Sequence, residues 1–101
     1  MYDRLKGGLL VVAQWRTAPG QADKIADILG RFLPQPQAEP EVKLFLIGRG
    51  KDDRNKFLFY ELFADEAAFE AHQASEHFKT LIAGQALPLL TERKRMQFVL
   101  I

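Results

Sequence analysis

The sequence predicts an α+β domain, with helices packed on a four-stranded antiparallel sheet, and three observations carry that prediction. Apolar runs rich in Val, Leu and Phe, each too short for a typical helix, recur at residues 9–17, 42–48, 56–63 and 95–101. Between the first and second runs the apolar residues fall three and four apart, the spacing of a helix face. After the third run, Asp65 opens a second helical segment as a plausible N-cap. The resulting order is βαββαβ, the ferredoxin-like arrangement. At 101 residues, about half of them apolar and with eight Phe and one Trp, the chain is one domain with enough side chains for a core.

Each element has its own signal. Leu9 to Thr17 is the first strand, and Pro19-Gly20 breaks it. In the first helix Ala22, Ile25, Ile28, Leu29, Phe32 and Leu33 form one apolar stripe, opposite Gln21, Asp23, Lys24 and Asp27. Pro34, Pro36 and Pro40 cannot continue that helix, so residues 34–41 are expected as an extended connection. Val42 to Gly48 and Lys56 to Phe63 flank a polar turn with two glycines, and so form a hairpin. Gly84 and Pro88 end the second helical stretch, in which Ser75 can cap a continuation or a turn. In the last strand, Arg95 to Ile101, Met96, Phe98 and Leu100 alternate with Arg95 and Gln97. No repeat or linker interrupts residues 1–101.

One pattern departs from a sheet with one wet face. In strand three Phe57, Phe59 and Phe63 point one way, and Leu58, Tyr60 and Leu62 the other. Strand one behaves alike, with Val11, Ala13 and Trp15 set against Leu10 and Val12. A second apolar face on so small a domain needs a cover. A second copy of the same sheet is the simplest one, giving a two-fold homodimer.

Composition removes several function classes. There is no cysteine, which excludes disulfides, Cys-ligated zinc, iron–sulfur clusters and cysteine nucleophiles. A net charge of +1 argues against a nucleic-acid footprint. The basic residues Arg49, Lys51, Arg54 and Lys56, and Arg93 to Arg95, alternate with Asp52, Asp53 and Glu92 and read as a solvated surface. Gly48-Arg-Gly50 lies in a hairpin, not before a helix, so it is no phosphate loop. No run approaches a membrane span. The run Gly7 to Ala13 after Lys6 superficially resembles an export segment, but Trp15 and Arg16 follow at once, so a cytoplasmic location is expected.

The titratable residues with an apolar setting are few. Glu61 shares its strand face with Phe59 and Phe63, either as a pocket carboxylate or as a rim carboxylate paired to Arg or Lys. Both histidines, His72 and His77, follow it on the helical stretch. Five residues apart, they diverge by about 140° on an unbroken helix, and could share a ligand only if the helix breaks near Ser75. His-x4-His is a poor metal spacing on a helix, so no metal is expected. Trp15 is barrel core or an aromatic wall.

Tyr60-Glu61, Asp65-Glu66-x-Ala68, His72 and Ser75-x-His77-Phe78-Lys79 together resemble the signature of the antibiotic-biosynthesis monooxygenase family. The resemblance extends from Val11-Val12-Ala13 and Pro19-Gly20 to the last strand. It implies a dimeric α+β barrel, and a pocket in which His77 is the base, Glu61 its partner and His72 the next candidate. Trp15, Phe59, Phe63 and Phe78 would be substrate-contacting walls. Phe63 stands where many relatives carry Trp, which puts an indole N–H contact in doubt. The haem-degrading branch, with Asn on the first strand and Trp after the third, fits poorly, since Ala13 and Phe63 stand there.

The implied chemistry is oxygenation of a phenol, quinol or polyketide-type aromatic by dioxygen without flavin, haem or metal. An electron-rich phenolate can reduce dioxygen itself, given a base and a dry pocket. Proton-transfer isomerisation of a small carbonyl compound and a non-catalytic binding barrel are the alternatives. An RNA-recognition motif shares the βαββαβ order, but residues 11–14 offer no stacking ring, so no nucleic-acid partner is expected.

Overall fold

In a computed structural model that describes residues 2–101, the predicted strands form one antiparallel sheet in the order β2-β3-β1-β4. Strands β1 (Leu9–Thr17) and β3 (Lys56–Phe63) pair at the centre, with β2 (Val42–Arg49) and β4 (Leu90–Val99) at the edges. Helices α1 (Ala22–Phe32) and α3 (Glu66–Ala74) cover one face, together with a wider-wound π-helical segment, Phe78–Ala86. This is the ferredoxin-like α+β arrangement expected from the element order.

The register explains why two faces of one sheet are apolar. On the helix side, Phe45, Glu61, Val11 and Gln97 form one cross-strand row. Ile47, Phe59, Ala13 and Arg95 form the next, and Arg49, Phe57, Trp15 and Arg93 the third. The helices bury the β1 and β3 members of these rows but leave β4 exposed. On the other face, Leu44, Leu62, Leu10 and Phe98 make one row, and Leu46, Tyr60, Val12 and Met96 another. Leu46, Tyr60, Met96 and Phe98 are between 42% and 51% exposed there. Strands one and three thus present the faces that their alternation predicted.

Three expectations change. Pro34–Gln37 is one helical turn, α2, not an extended connection. Proline is excluded from a helix interior by its missing N–H, but a first turn needs no such donor. β4 begins at Leu90, earlier than Arg95, because Glu92 to Lys94 pair with Arg16 to Gln14 on an exposed edge without an apolar pattern to betray them. The ladder closes at Val99, and Leu100 is held by backbone bonds with Gly7 and Gly8. At Pro19-Gly20 the turn into α1 requires a left-handed residue, and Gly20 has φ of 80°.

Candidate functional site

The histidines come together because the helix breaks between them. Asp65 caps α3 as expected, its Oδ1 accepting from the Ala68 N–H at 2.9 Å. Ser75 then turns extended (φ −68°, ψ 151°) and ends the helix. Its hydroxyl donates to the His72 carbonyl at 2.6 Å and accepts the Phe78 N–H at 3.3 Å. One serine thus closes α3 and starts the next segment, redirecting the chain so that both rings reach one carboxylate.

That carboxylate is Glu39, not Glu61. Its Oε2 lies 2.9 Å from His72 Nδ1 and 3.4 Å from His77 Nε2. The expected pairing of His77 with Glu61 is therefore replaced: among the described residues neither histidine bonds Glu61. Glu39 is placed by the turn between α2 and β2. Its N–H donates to the Pro36 carbonyl, its carbonyl accepts from the Val42 N–H, and Gln37 Nε2 donates to the Phe45 carbonyl.

His72 is 2% exposed and boxed by phenyl rings. The Phe45, Phe63 and Phe78 centroids are each 5.3 Å away, and Phe32 lies at 6.0 Å. A carboxylate can only accept, so the shared proton sits on Nδ1 and Nε2 keeps a lone pair. Burial among these rings holds the imidazole below its ordinary pKa, against the opposing pull of Glu39. Burial thus favours the neutral ring, and in that form the Glu39 contact favours the tautomer with its proton on Nδ1.

The ring lines a small cavity of about 20 Å³ under the sheet, shared with Trp15, Phe59 and Glu61 from the central strands. Such a volume admits about one water. Phe78 and Phe69 close it on the helix side, and Arg93 and Arg95 on the β4 side. Phe63 does not border it; it packs behind His72 and against Phe69, so it is not the cavity wall that was expected. Trp15 is both core and wall, 4% exposed and with its ring 4.4 Å from Phe59. His77 stands outside the cavity, facing Glu39.

Glu61 is 7% exposed, and its carboxyl group makes no hydrogen bond to the described side chains. Burial pushes its carboxyl pKa up to about 8, although Arg95 and Arg93 pull it back. At neutral pH it is therefore mostly a carboxylic acid, able to donate. An imidazole whose pKa burial lowers and a carboxyl group whose pKa burial raises thus border one cavity walled by Trp15, Phe59 and Phe78. Environments that push two pKa values apart in this way assign acid and base roles.

Sequence reasoning missed Glu39, Arg93 and Arg95. Glu39 sits between Ala38 and Pro40 in a connection without periodicity. The arginines had a usable signal: Arg95 alternates against Met96, which puts it on the helix side once β4 is docked beside β1. A larger groove of about 460 Å³ lies at the hairpin end, lined by Gln14, Arg16, Gly48, Lys56 and Lys94. It holds no histidine, and its one lining acid, Glu92, faces Arg16 and Lys94 at 3.7 Å. Of the basic residues there, Arg16 meets Asp53 at 3.1 Å and Arg49 meets Asp23 at 3.0 Å; Arg93 and Arg95, expected as solvated surface, instead border the smaller cavity beside Glu61.

Comparison with known proteins agrees with this architecture. The sequence profile of the antibiotic biosynthesis monooxygenase family matches residues 8–84. No protein of curated function matches in sequence. A crystal structure from Pseudomonas aeruginosa is similar with a TM-score of 0.88 at 26% identity, covering 96% of this chain and 97% of that one. A conserved protein from Methanosarcina mazei Go1 superposes with a TM-score of 0.89 at 16% identity, covering all of both chains. A protein described as an antibiotic biosynthesis monooxygenase has a TM-score of 0.86 at 22% identity, over 92% of this chain and 98% of its own. Among the described residues no helix is long and apolar enough to cross a membrane.

Proposed function

This chain belongs to the antibiotic biosynthesis monooxygenase family, and on that premise we propose a monooxygenase-like enzyme in which His72 is the base and protonated Glu61 the acid. The substrate class is a small phenolic, quinol or polyketide-type aromatic, and dioxygen is the co-substrate. One observation carries the reading: His72, whose pKa burial lowers, and Glu61, whose pKa burial raises, border the same cavity beside Trp15, Phe59 and Phe78. His77, which does not border it, becomes a second partner of Glu39 rather than the base.

His72 Nε2 takes the phenolic proton, and Glu39 stabilises the imidazolium that forms, as a buried carboxylate does for a catalytic histidine. The phenolate reduces dioxygen. One oxygen atom ends on a ring carbon and the other leaves as water, so a phenol with a free para position becomes a quinone. Glu61 donates its proton to the reduced oxygen. Phe59, Phe78 and Trp15 exclude water that would quench the intermediate. A ring does not fit in a space for one water, so substrate must displace a wall. We assign that movement to the exposed Arg95 side chain on the β4 side, whose guanidinium lies 5.3 Å from the Phe69 ring.

The open sheet face supports a homodimer. Two apolar rows cross all four strands there, with Leu46, Tyr60, Met96 and Phe98 about half exposed. A contiguous patch of this kind on a small domain marks an interface.

The test is oxygen uptake with a panel of quinols, catechols and naphthols, without added cofactor and in chelator-treated buffer. Uptake that falls by roughly 100-fold or more in His72→Ala supports the assignment. The same acid–base pair also suits proton-transfer isomerisation of a small carbonyl compound. Solvent-deuterium incorporation without oxygen uptake would select that reading instead.

A further inference from the structure

Glu39 and His72 take part in the proposed acid–base chemistry, and His77 does not. A contact of 3.4 Å is a weak hydrogen bond, and Glu39 Oε2 is already held at 2.9 Å by His72. Yet the second imidazole is aimed at the same oxygen. His72 Nδ1, His77 Nε2 and the Glu39 carboxylate lie within 4.8 Å of one another.

We propose that Glu39, His72 and His77 form a binding site for one divalent first-row transition ion, with zinc as its representative. Two imidazoles and one carboxylate are a recurrent donor set for zinc and for other such ions. The spacing suits it. At metal–ligand distances of about 2.0–2.2 Å, donor atoms around one ion sit about 2.9 Å apart when octahedral and about 3.4 Å when tetrahedral. Glu39 holds its two partners at 2.9 and 3.4 Å. The two ring nitrogens lie within 4.8 Å of each other, and His77 is the one able to close in. His72 is locked among four phenyl rings, whereas the His77 side chain is 17% exposed and begins a new segment. Glu39 is 21% exposed, so ion and water can enter beside it.

The pair was hidden because His-x4-His diverges on a continuous helix; the Ser75 break creates the site. Occupancy has a consequence that rests on the role given to His72 above. A metal on Nδ1 leaves the ring proton on Nε2, the nitrogen that would otherwise accept the substrate proton. The ion would therefore switch the base off.

The experiment is calorimetric titration of chelator-stripped protein with zinc, together with visible absorption of the cobalt(II) form. One ion per chain at micromolar affinity or tighter is expected. His77→Ala and Glu39→Gln should each weaken it by roughly 10-fold to 100-fold or more, while Glu92→Gln, at the distant hairpin end, leaves it unchanged. Circular dichroism and melting of each variant exclude unfolding as the cause. No saturable binding up to millimolar zinc, or equal binding in both site variants, overturns the proposal. In oxygen uptake, zinc should inhibit the wild type. Zinc bound at this site with turnover unchanged would keep the metal site and reject Nε2 of His72 as the base.

Discussion

Replacing Glu61 by Gln should make the protein more stable at pH 8 and leave it nearly unchanged at pH 4. The carboxyl group keeps its proton up to about pH 8 in the fold, against an ordinary 4.5. Between those values the folded state binds a proton that the unfolded state has released. Stability therefore falls as pH rises through that window. At about 1.4 kcal/mol per pH unit, the full window is worth up to about 5 kcal/mol. Gln has the shape of the protonated acid and cannot ionise, so it escapes this loss. The assay is urea denaturation of wild type and Glu61→Gln at half-unit steps from pH 4 to 9. Groups common to both proteins cancel in the difference. The gap should open from near zero at pH 4 and level off near pH 8. A gap that stays flat with pH, or one that closes toward high pH, would refute the buried, protonated Glu61.

The other predictions concern turnover and assembly. The pH profile of kcat/KM on a confirmed substrate should be bell-shaped. It should rise as His72 loses its proton below the usual histidine range and fall near pH 8 as Glu61 ionises; Glu61→Gln should lose the basic limb. Arg95→Ala should move that basic limb upward, since Arg95 favours the charged carboxylate, and a limb that moves down would contradict the geometry. His77→Ala should cost much less than His72→Ala in metal-free buffer, because Glu39 still holds His72; equal losses would restore His77 as the base. Tyr60→Asp should give a monomer or an insoluble protein, because in the proposed dimer it buries an unpaired charge. A wild type that is monomeric at micromolar concentration by light scattering would sink the dimer. Tyr60 is the informative choice over Leu62, which is 2% exposed within one chain and would destabilise a monomer as well.

The fold was legible because its signals are local. The stripe from Ala22 to Phe32 and the two-sided apolar third strand are periodic over their own few residues, and the register then places them as expected. Residues 34–37 and 90–94 depart from expectation because the periodic signal there is missing or outweighed by proline. The site was only half legible. His72, Glu61, Trp15, Phe59 and Phe78 were recognised and do border one cavity. The partner of the histidines was not, since Glu39 lies 33 residues from His72 and only the docking of α2 on β2 brings it there. The choice between His72 and His77 turned on Ser75. Sequence permits either a continuous helix or a break at that position, and the hydroxyl bonds that decide it involve residues on both sides.

Catalysis as proposed depends most on the state of one ring, that of His72. The nitrogen chemical shifts of His72, read by long-range proton–nitrogen correlation in metal-free protein at pH 7, test it most directly. A neutral ring protonated at Nδ1, with an unprotonated Nε2, is predicted, and Glu39→Gln should weaken that preference. A ring protonated at Nε2 alone, or a doubly protonated imidazolium at pH 7, would contradict the assignment of His72 as the base.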